Sequence, residues 1–197
     1  MSNHPLTPCG LCHVEAAGNR LRECGLRYCA VDEVRIRRAR PADVRGIRAL
    51  VRPLAERRVL VAKDAVAYYE SIAEFWVAEA GDRIVGCGAL HVLWEDLGEV
   101  RTLAVDPDVL GHGVGSRLLR VLIDDARELG LSRLFCLTFE TDFFARHGFA
   151  PIEGQAVTPE VYAELLRSYD EGVAEFLDLE RVKPNTLGNT RMLRTLE

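Results

Sequence analysis

From residue 33 onward the apolar positions repeat in periods that name most of the elements. The stretch 33–39 (EVRIRRA) alternates as an edge strand does. Pro41-Ala42-Asp43 then opens a helix to about Leu54, with Val44, Ile47, Leu50 and Val51 on one face. A loop over 55–64 carries the apolar patch Val59-Leu60-Val61, and a second helix is predicted over 65–73. Runs at 75–80 and 84–94 read as strands joined at Gly81-Asp82, a hairpin signal. A strand over 99–105 leads through a glycine-spaced loop into an amphipathic helix ending near Leu129. A strand over 134–139, a short helix from Thr141 to His147 and a strand starting at Phe149 follow. Thr158 before Pro159 caps a helix to about Ser168, and 189–196 reads as a last strand.

The order β-α-α-β-β-β-α-β-α-β places a hairpin before the glycine loop. It predicts an α+β fold with a mixed, mostly antiparallel sheet and flanking helices, not a doubly wound parallel sheet. No repeat, low-complexity segment or linker interrupts residues 33–197, which read as one domain behind an extension over 1–32.

Composition narrows the partners. A chain of 197 residues suffices for one full core, and a net charge of −5 disfavours general attraction to nucleic acid or anionic membrane. No apolar run approaches the ~20 residues that span a bilayer. The N-terminus lacks a signal-peptide layout, so a cytoplasmic location is expected, with small molecules as partners and a homodimer as an open alternative. Cys87 and Cys136 fall in strand patterns and read as buried thiols. Cys9, Cys12, Cys24 and Cys29 crowd into the extension, with zinc binding as one reading and an incidental, poorly ordered arm as the other.

The run Gly111-His112-Gly113-Val114-Gly115 opens its helix where backbone N–H groups lack partners and the helix dipole adds positive charge. Such a loop holds a pyrophosphate. His112 and His147 read as local hydrogen-bonding residues, and Arg52 as a helix-surface ion-pair residue.

Leu103-Ala-Val-Asp-Pro, the glycine loop and the later Phe143-Phe-Ala-Arg-His-Gly-Phe149 together resemble the GNAT acetyltransferases over about 34–152. The resemblance implies the GNAT fold and acetyl-CoA as co-substrate. Leu103, Ala104 and Val105 would pair with the pantetheine arm. Leu110, Gly111, His112, Gly113, Val114, Gly115 and Ser116 would hold the pyrophosphate, and Phe144 would lie at the cofactor. Leu110 stands where the superfamily usually has Arg or Gln, so a side-chain contact is lost while the backbone cradle remains.

Arg52-Pro53-Leu54, Gly98-Glu99, Leu134-Phe135-Cys136-Leu137-Thr138 and the tail FLDLERVKPNTLGNTRML are similar to the short, single-domain N-acetylglutamate synthases. That likeness implies acetyl transfer to the α-amino group of L-glutamate by direct attack on the thioester, the entry to arginine biosynthesis. It implies Glu99 as the base and Thr141 as a proton donor, since Phe144 replaces the superfamily's usual tyrosine. Leu60, Lys63, Arg101 and Arg191 would bind the acceptor. Read alone, Glu99 is equally a strand-end carboxylate paired with Arg101, and Thr141 a helix cap. Alternation is expected to put Glu99, Arg101, Leu103 and Val105 on one face. Another amino acid or small amine as acceptor, and a non-catalytic acyl-CoA-sensing module, remain the competing functions.

Overall fold

The computed structural model of the chain describes residues 34–60, 63–180 and 188–197. Among the described residues, seven strands form one sheet in the order β1-β2-β3-β4-β5-β7-β6. They are β1 (Arg35–Arg38), β2 (Phe75–Ala80), β3 (Arg83–Trp94), β4 (Leu97–Val105), β5 (Arg133–Thr138), β6 (Ala150–Pro151) and β7 (Thr190–Thr195). Among these strands β4 and β5 run parallel, and every other described pair is antiparallel. The helices are α1 (Val44–Glu56), α2 (Ala65–Glu70), α3 (Val114–Glu128), α4 (Thr141–Ala145), α5 (Pro159–Leu165) and α6 (Glu171–Phe176). The cysteines at 9, 12, 24 and 29 lie outside the described residues.

Each face of the sheet is covered by the stripe that its helix presents. Val44, Ile47 and Val51 of α1 pack on Val77, Cys87, Ala89 and Ala104. On the opposite face Leu119, Leu122, Ile123 and Ala126 of α3 pack on Leu90, Val100, Leu134, Cys136 and Met192. The buried carboxylate Asp125 fastens α3 laterally: Trp76 Nε1 donates to it at 3.1 Å and Arg38 pairs with its other oxygen. A third cluster joins Leu165 of α5 with Val173, Phe176 and Leu177 at α6, over Leu93, Leu97 and Phe135. It includes Leu97, at the start of β4.

Two expectations are corrected here. The strand expected from Phe149 is only Ala150–Pro151, because proline removes a ladder donor. The alternation expected along β4 is broken. Cys87 faces Ala104 and Ala89 faces Arg101, so Gly88 alone stands opposite both Thr102 and Leu103. Thr102 is a bulge residue with φ of 53°, rare for a β-branched side chain. The bulge reverses the phase of the strand. Leu103 and Val105 turn toward α3, while Glu99 and Arg101 face the opposite side.

Leu122, fully buried at the centre of the α3 contact, gives a test of this packing. Leu122→Ala is expected to destabilise the fold by about 2–5 kcal/mol. Urea unfolding should show a lower midpoint with an unchanged slope.

Candidate functional site

Strand β4 pairs with β5 over only three residues, Leu97 to Glu99, before the two separate. β5 continues alone against β7 as far as Thr138. Beyond Glu99, therefore, β4 has a free edge facing a gap. Backbone groups on a free edge are open to pairing with an extended ligand. Leu103, Ala104 and Val105 lie on that open stretch.

At the end of β4 a 3₁₀ turn, Pro107–Val109, leads into the glycine loop, with Asp106 accepting from the Asp108 N–H at 2.9 Å. Gly113 is the N-cap of α3 at φ 75°, a left-handed conformation that glycine adopts without steric cost. It offers no side chain to cap the helix, so the first-turn N–H groups remain available to an anion. Leu110 is 60% exposed, and the Leu110 carbonyl lies 3.0 Å from His112 Nδ1. Val114 is buried in the core, so its side chain is not open to a ligand at this loop. The Ser116 hydroxyl and His147 Nε2 are 3.1 Å apart. Burial, with Arg120, Arg194 and Arg146 nearby, holds the His147 imidazole below its ordinary pKa.

The ring that approaches this loop is Phe143. It lies 3.6 Å from where a Cβ on Gly115 would sit. Phe144 is turned into the core, edge-on to Phe143 and Phe149. Thr141 starts α4 but does not cap it; Glu140 holds the cap position, with no side-chain bond.

On the other side of β4 is a cavity of about 60 Å3. Glu99, Arg101, Leu60, Lys63 and Glu175 line it, with Thr102 and Gly172 among the remaining walls. Glu99 and Arg101 are both buried, and Arg101 Nε donates to Glu99 Oε2 at 2.7 Å. Arg101 Nη1 meets Asp170 at 2.9 Å, so one guanidinium spans two carboxylates. Burial opposes the Arg101 charge, but Glu99 and Asp170 outweigh it and raise its pKa. Asp170 also caps α6 by accepting from the Val173 N–H at 2.9 Å. The same carboxylate thus ties α6 to β4.

Arg191 lies on β7 opposite Leu137, a cavity-lining residue. Its guanidinium stacks 4.9 Å from the Phe135 ring and 5.6 Å from Phe176. Burial pushes its pKa down. Nη2 of Arg101, with Nε and Nη1 of Arg191, are buried donors without a hydrogen-bond partner among the described residues. Arg52, by contrast, is an exposed partner of Glu56 on α1.

The structure therefore brings Leu60, Lys63, Glu99 and Arg101 to one cavity, with Arg191 beside it. Sequence reasoning missed Asp170, Gly172 and Glu175. Their signal was faint: the Asp170 cap before Glu171 is a helix start, but the helix that follows has six residues.

A profile of the acetyltransferase (GNAT) family matches residues 48–149. The amino-acid acetyltransferase of Mycobacterium tuberculosis strain H37Rv is 58% identical over 164 residues, covering 82% of this chain and 94% of that protein. The amino-acid acetyltransferase of Neisseria meningitidis serogroup A is 42% identical over 118 residues, which are 59% of this chain but 27% of that protein. A solved M. tuberculosis structure in complex with CoA matches with a TM-score of 0.80 and 58% identity, covering 83% of this chain and 99% of that one. N-acetylglutamate synthase of Neisseria gonorrhoeae, complexed with coenzyme A and N-acetyl-glutamate, matches with a TM-score of 0.66 and 31% identity, over 83% of this chain and 35% of that one.

Gly172 tests the packing of this site. A Cβ there would lie 2.5 Å from Arg101 Cζ, so helix or guanidinium must move. Gly172→Ala is expected to cost about 1–3 kcal/mol by overpacking, read as a lower urea midpoint. An unchanged midpoint would show that α6 does not pin Arg101.

Proposed function

We propose, from the premise that the chain belongs to the acetyltransferase (GNAT) family, that it transfers the acetyl group of acetyl-CoA to the α-amino group of L-glutamate. This is the acetylation that opens arginine biosynthesis. One observation carries the choice of acceptor. Buried guanidinium donors of Arg101 and Arg191 stand without partners beside the cavity that Glu99 lines. A buried donor without an acceptor is costly, and carboxylate is the group that a guanidinium fork fits. Glutamate supplies two carboxylates and one amine. The likeness to a synthase complexed with N-acetyl-glutamate supports the same choice.

The cofactor side fits on geometry. The first-turn N–H groups of α3, with Gly111 and Gly113 in left-handed conformation, suit a pyrophosphate. The free edge of β4 over 103–105 suits an extended arm lying in the gap beside β5. Acetyl-CoA supplies an activated thioester.

The work of the chain is then to orient and to move protons. Glu99 takes a proton from the acceptor's ammonium, leaving a free amine to attack. A backbone N–H on the 103–105 stretch polarises the carbonyl oxygen as charge gathers there. Arg101, held by Glu99 and Asp170, and Arg191, held between two rings, receive the acceptor's carboxylates. Lys63 and Leu60 close the cavity. Thr141 is the proposed proton donor to the departing thiolate, a modest contribution because a coenzyme A thiol is a tolerable leaving group.

The test is thiol release from acetyl-CoA in the presence of L-glutamate, with the N-acetylated product identified by mass. Glu99→Gln is expected to lower kcat by roughly 10²–10⁴-fold and to leave acetyl-CoA affinity unchanged. Turnover close to wild type in that variant would remove Glu99 from the mechanism. Thr141→Val is expected to reduce kcat by less than about tenfold, since leaving-group protonation is the smaller demand.

A further inference from the structure

The acceptor cavity holds a second carboxylate, and it stands in an unfavourable place. From Gly172 to Leu177 every residue but Glu175 is buried, and Glu175 is half-buried. Its side chain faces the cavity that Glu99 also lines. It makes no hydrogen bond or ion pair among the described residues. A carboxylate so placed loses hydration and feels a like charge, and both effects favour its neutral form.

We propose that Glu175 is the ammonium-docking residue of the acceptor pocket. In its ionised form it pairs with the α-ammonium of the incoming amino acid and holds that nitrogen beside Glu99. The inference rests on the acceptor reading given above and assigns a holding partner to the ammonium that Glu99 deprotonates.

The surrounding charges support it. On β4, Arg101 is shared between Glu99 and Asp170, so those three groups carry one net negative charge. Lys63, from the segment before α2, offsets Glu175 without a hydrogen bond, and Glu171 on α6 adds a further carboxylate. Arg191, on β7, is held against Phe135 and Phe176, with Nε and Nη1 buried and without a partner among the described residues. With Glu175 ionised, the Glu99–Glu175 side of the cavity therefore carries net negative charge. An ammonium offsets it.

Burial first, then Glu99, push the Glu175 carboxyl up to about 7, against the opposing pull of Lys63 and Arg101. Near neutrality it is thus divided between protonated and ionised forms. Docking of an ammonium selects the ionised form, so the carboxyl proton of the protonated fraction leaves to solvent on binding. The ammonium keeps its own proton until Glu99 removes it. As pH falls through about 7, Glu175 becomes neutral, the pairing is lost, and acceptor affinity falls.

The experiment is steady-state kinetics with L-glutamate and acetyl-CoA on the whole chain, for wild type, Glu175→Gln and Glu175→Asp, from about pH 6 to 9. For wild type, the acceptor KM is expected to rise as pH falls through about 7. For Glu175→Gln, the acceptor KM should be at least about tenfold higher at the upper end of that range, as expected for loss of a charge-assisted contact. Its KM should also lose the dependence on pH near neutrality, while the acetyl-CoA KM stays within about twofold. Glu175→Asp should restore the pH dependence. The proposal is overturned if Glu175→Gln keeps the wild-type acceptor KM and pH profile, or if acetyl-CoA KM rises in step with acceptor KM, which marks general disruption. If wild type turns over no amino acid at all, the acceptor reading itself fails and this proposal falls with it; an active wild type with an unaltered Glu175→Gln variant rejects Glu175 alone.

Discussion

Strand β4 is held on both sides only as far as Glu99, where it parts from β5, and three residues later it takes an extra residue at Thr102. The rest of the site depends on that pair of irregularities. The separation leaves a free backbone edge over 103–105, and the bulge reverses which side chains face which layer. Upstream of it, Glu99 and Arg101 face the cavity beneath α6. Downstream, Leu103 and Val105 anchor the strand on α3, while the chain runs on toward the glycine loop. One strand thus serves an acceptor pocket, a cofactor edge and an anion cradle in succession.

The buried Glu99–Arg101–Asp170 group positions more than it stabilises. Taking such charges out of water costs several kcal/mol per ion, which pairing repays only in good geometry. Its effect is to fix three elements with one guanidinium: β4 through Glu99, the start of α6 through Asp170, and Gly172, whose missing side chain lets the helix close over Arg101. Arg191 is placed differently, against the Phe135 and Phe176 rings, with Nη2 donating to Gln155 Oε1 at 3.4 Å and Nε and Nη1 left without a partner among the described residues. Both arginines are anchored by contacts within the protein, and preorganised groups lose less freedom on binding.

The regular parts of this architecture are legible from residue pattern alone. Val44, Ile47 and Val51 recur at helical spacing and are buried as that spacing implies. The hairpin turns at Gly81, and α3 opens at Gly113 where the glycine loop suggests. Leu60, Lys63, Glu99 and Arg101 meet at one cavity. The irregular parts are hidden for physical reasons. Thr102 is β-branched and reads as an ordinary strand residue, so nothing in the alternation marks the bulge. Helix α6 is six residues long, with Gly172, Val173, Ala174 and Phe176 buried and Glu171 and Glu175 its polar residues, so it is too short for a helical period to detect. Asp170, Gly172 and Glu175 were hidden with it. Phe144 aligns with a cofactor-facing motif, yet its ring is in the core and Phe143 is the neighbour of the loop.

The central claim is that buried, unsatisfied guanidinium donors select a carboxylate-bearing acceptor. It is tested most directly by comparing kcat/KM for L-glutamate with that for amines of similar length that lack one or both carboxylates, under saturating acetyl-CoA. The account predicts a loss of about tenfold or more for each carboxylate removed, as befits a charge-assisted hydrogen bond. Equal kcat/KM for an amine with no carboxylate would contradict it.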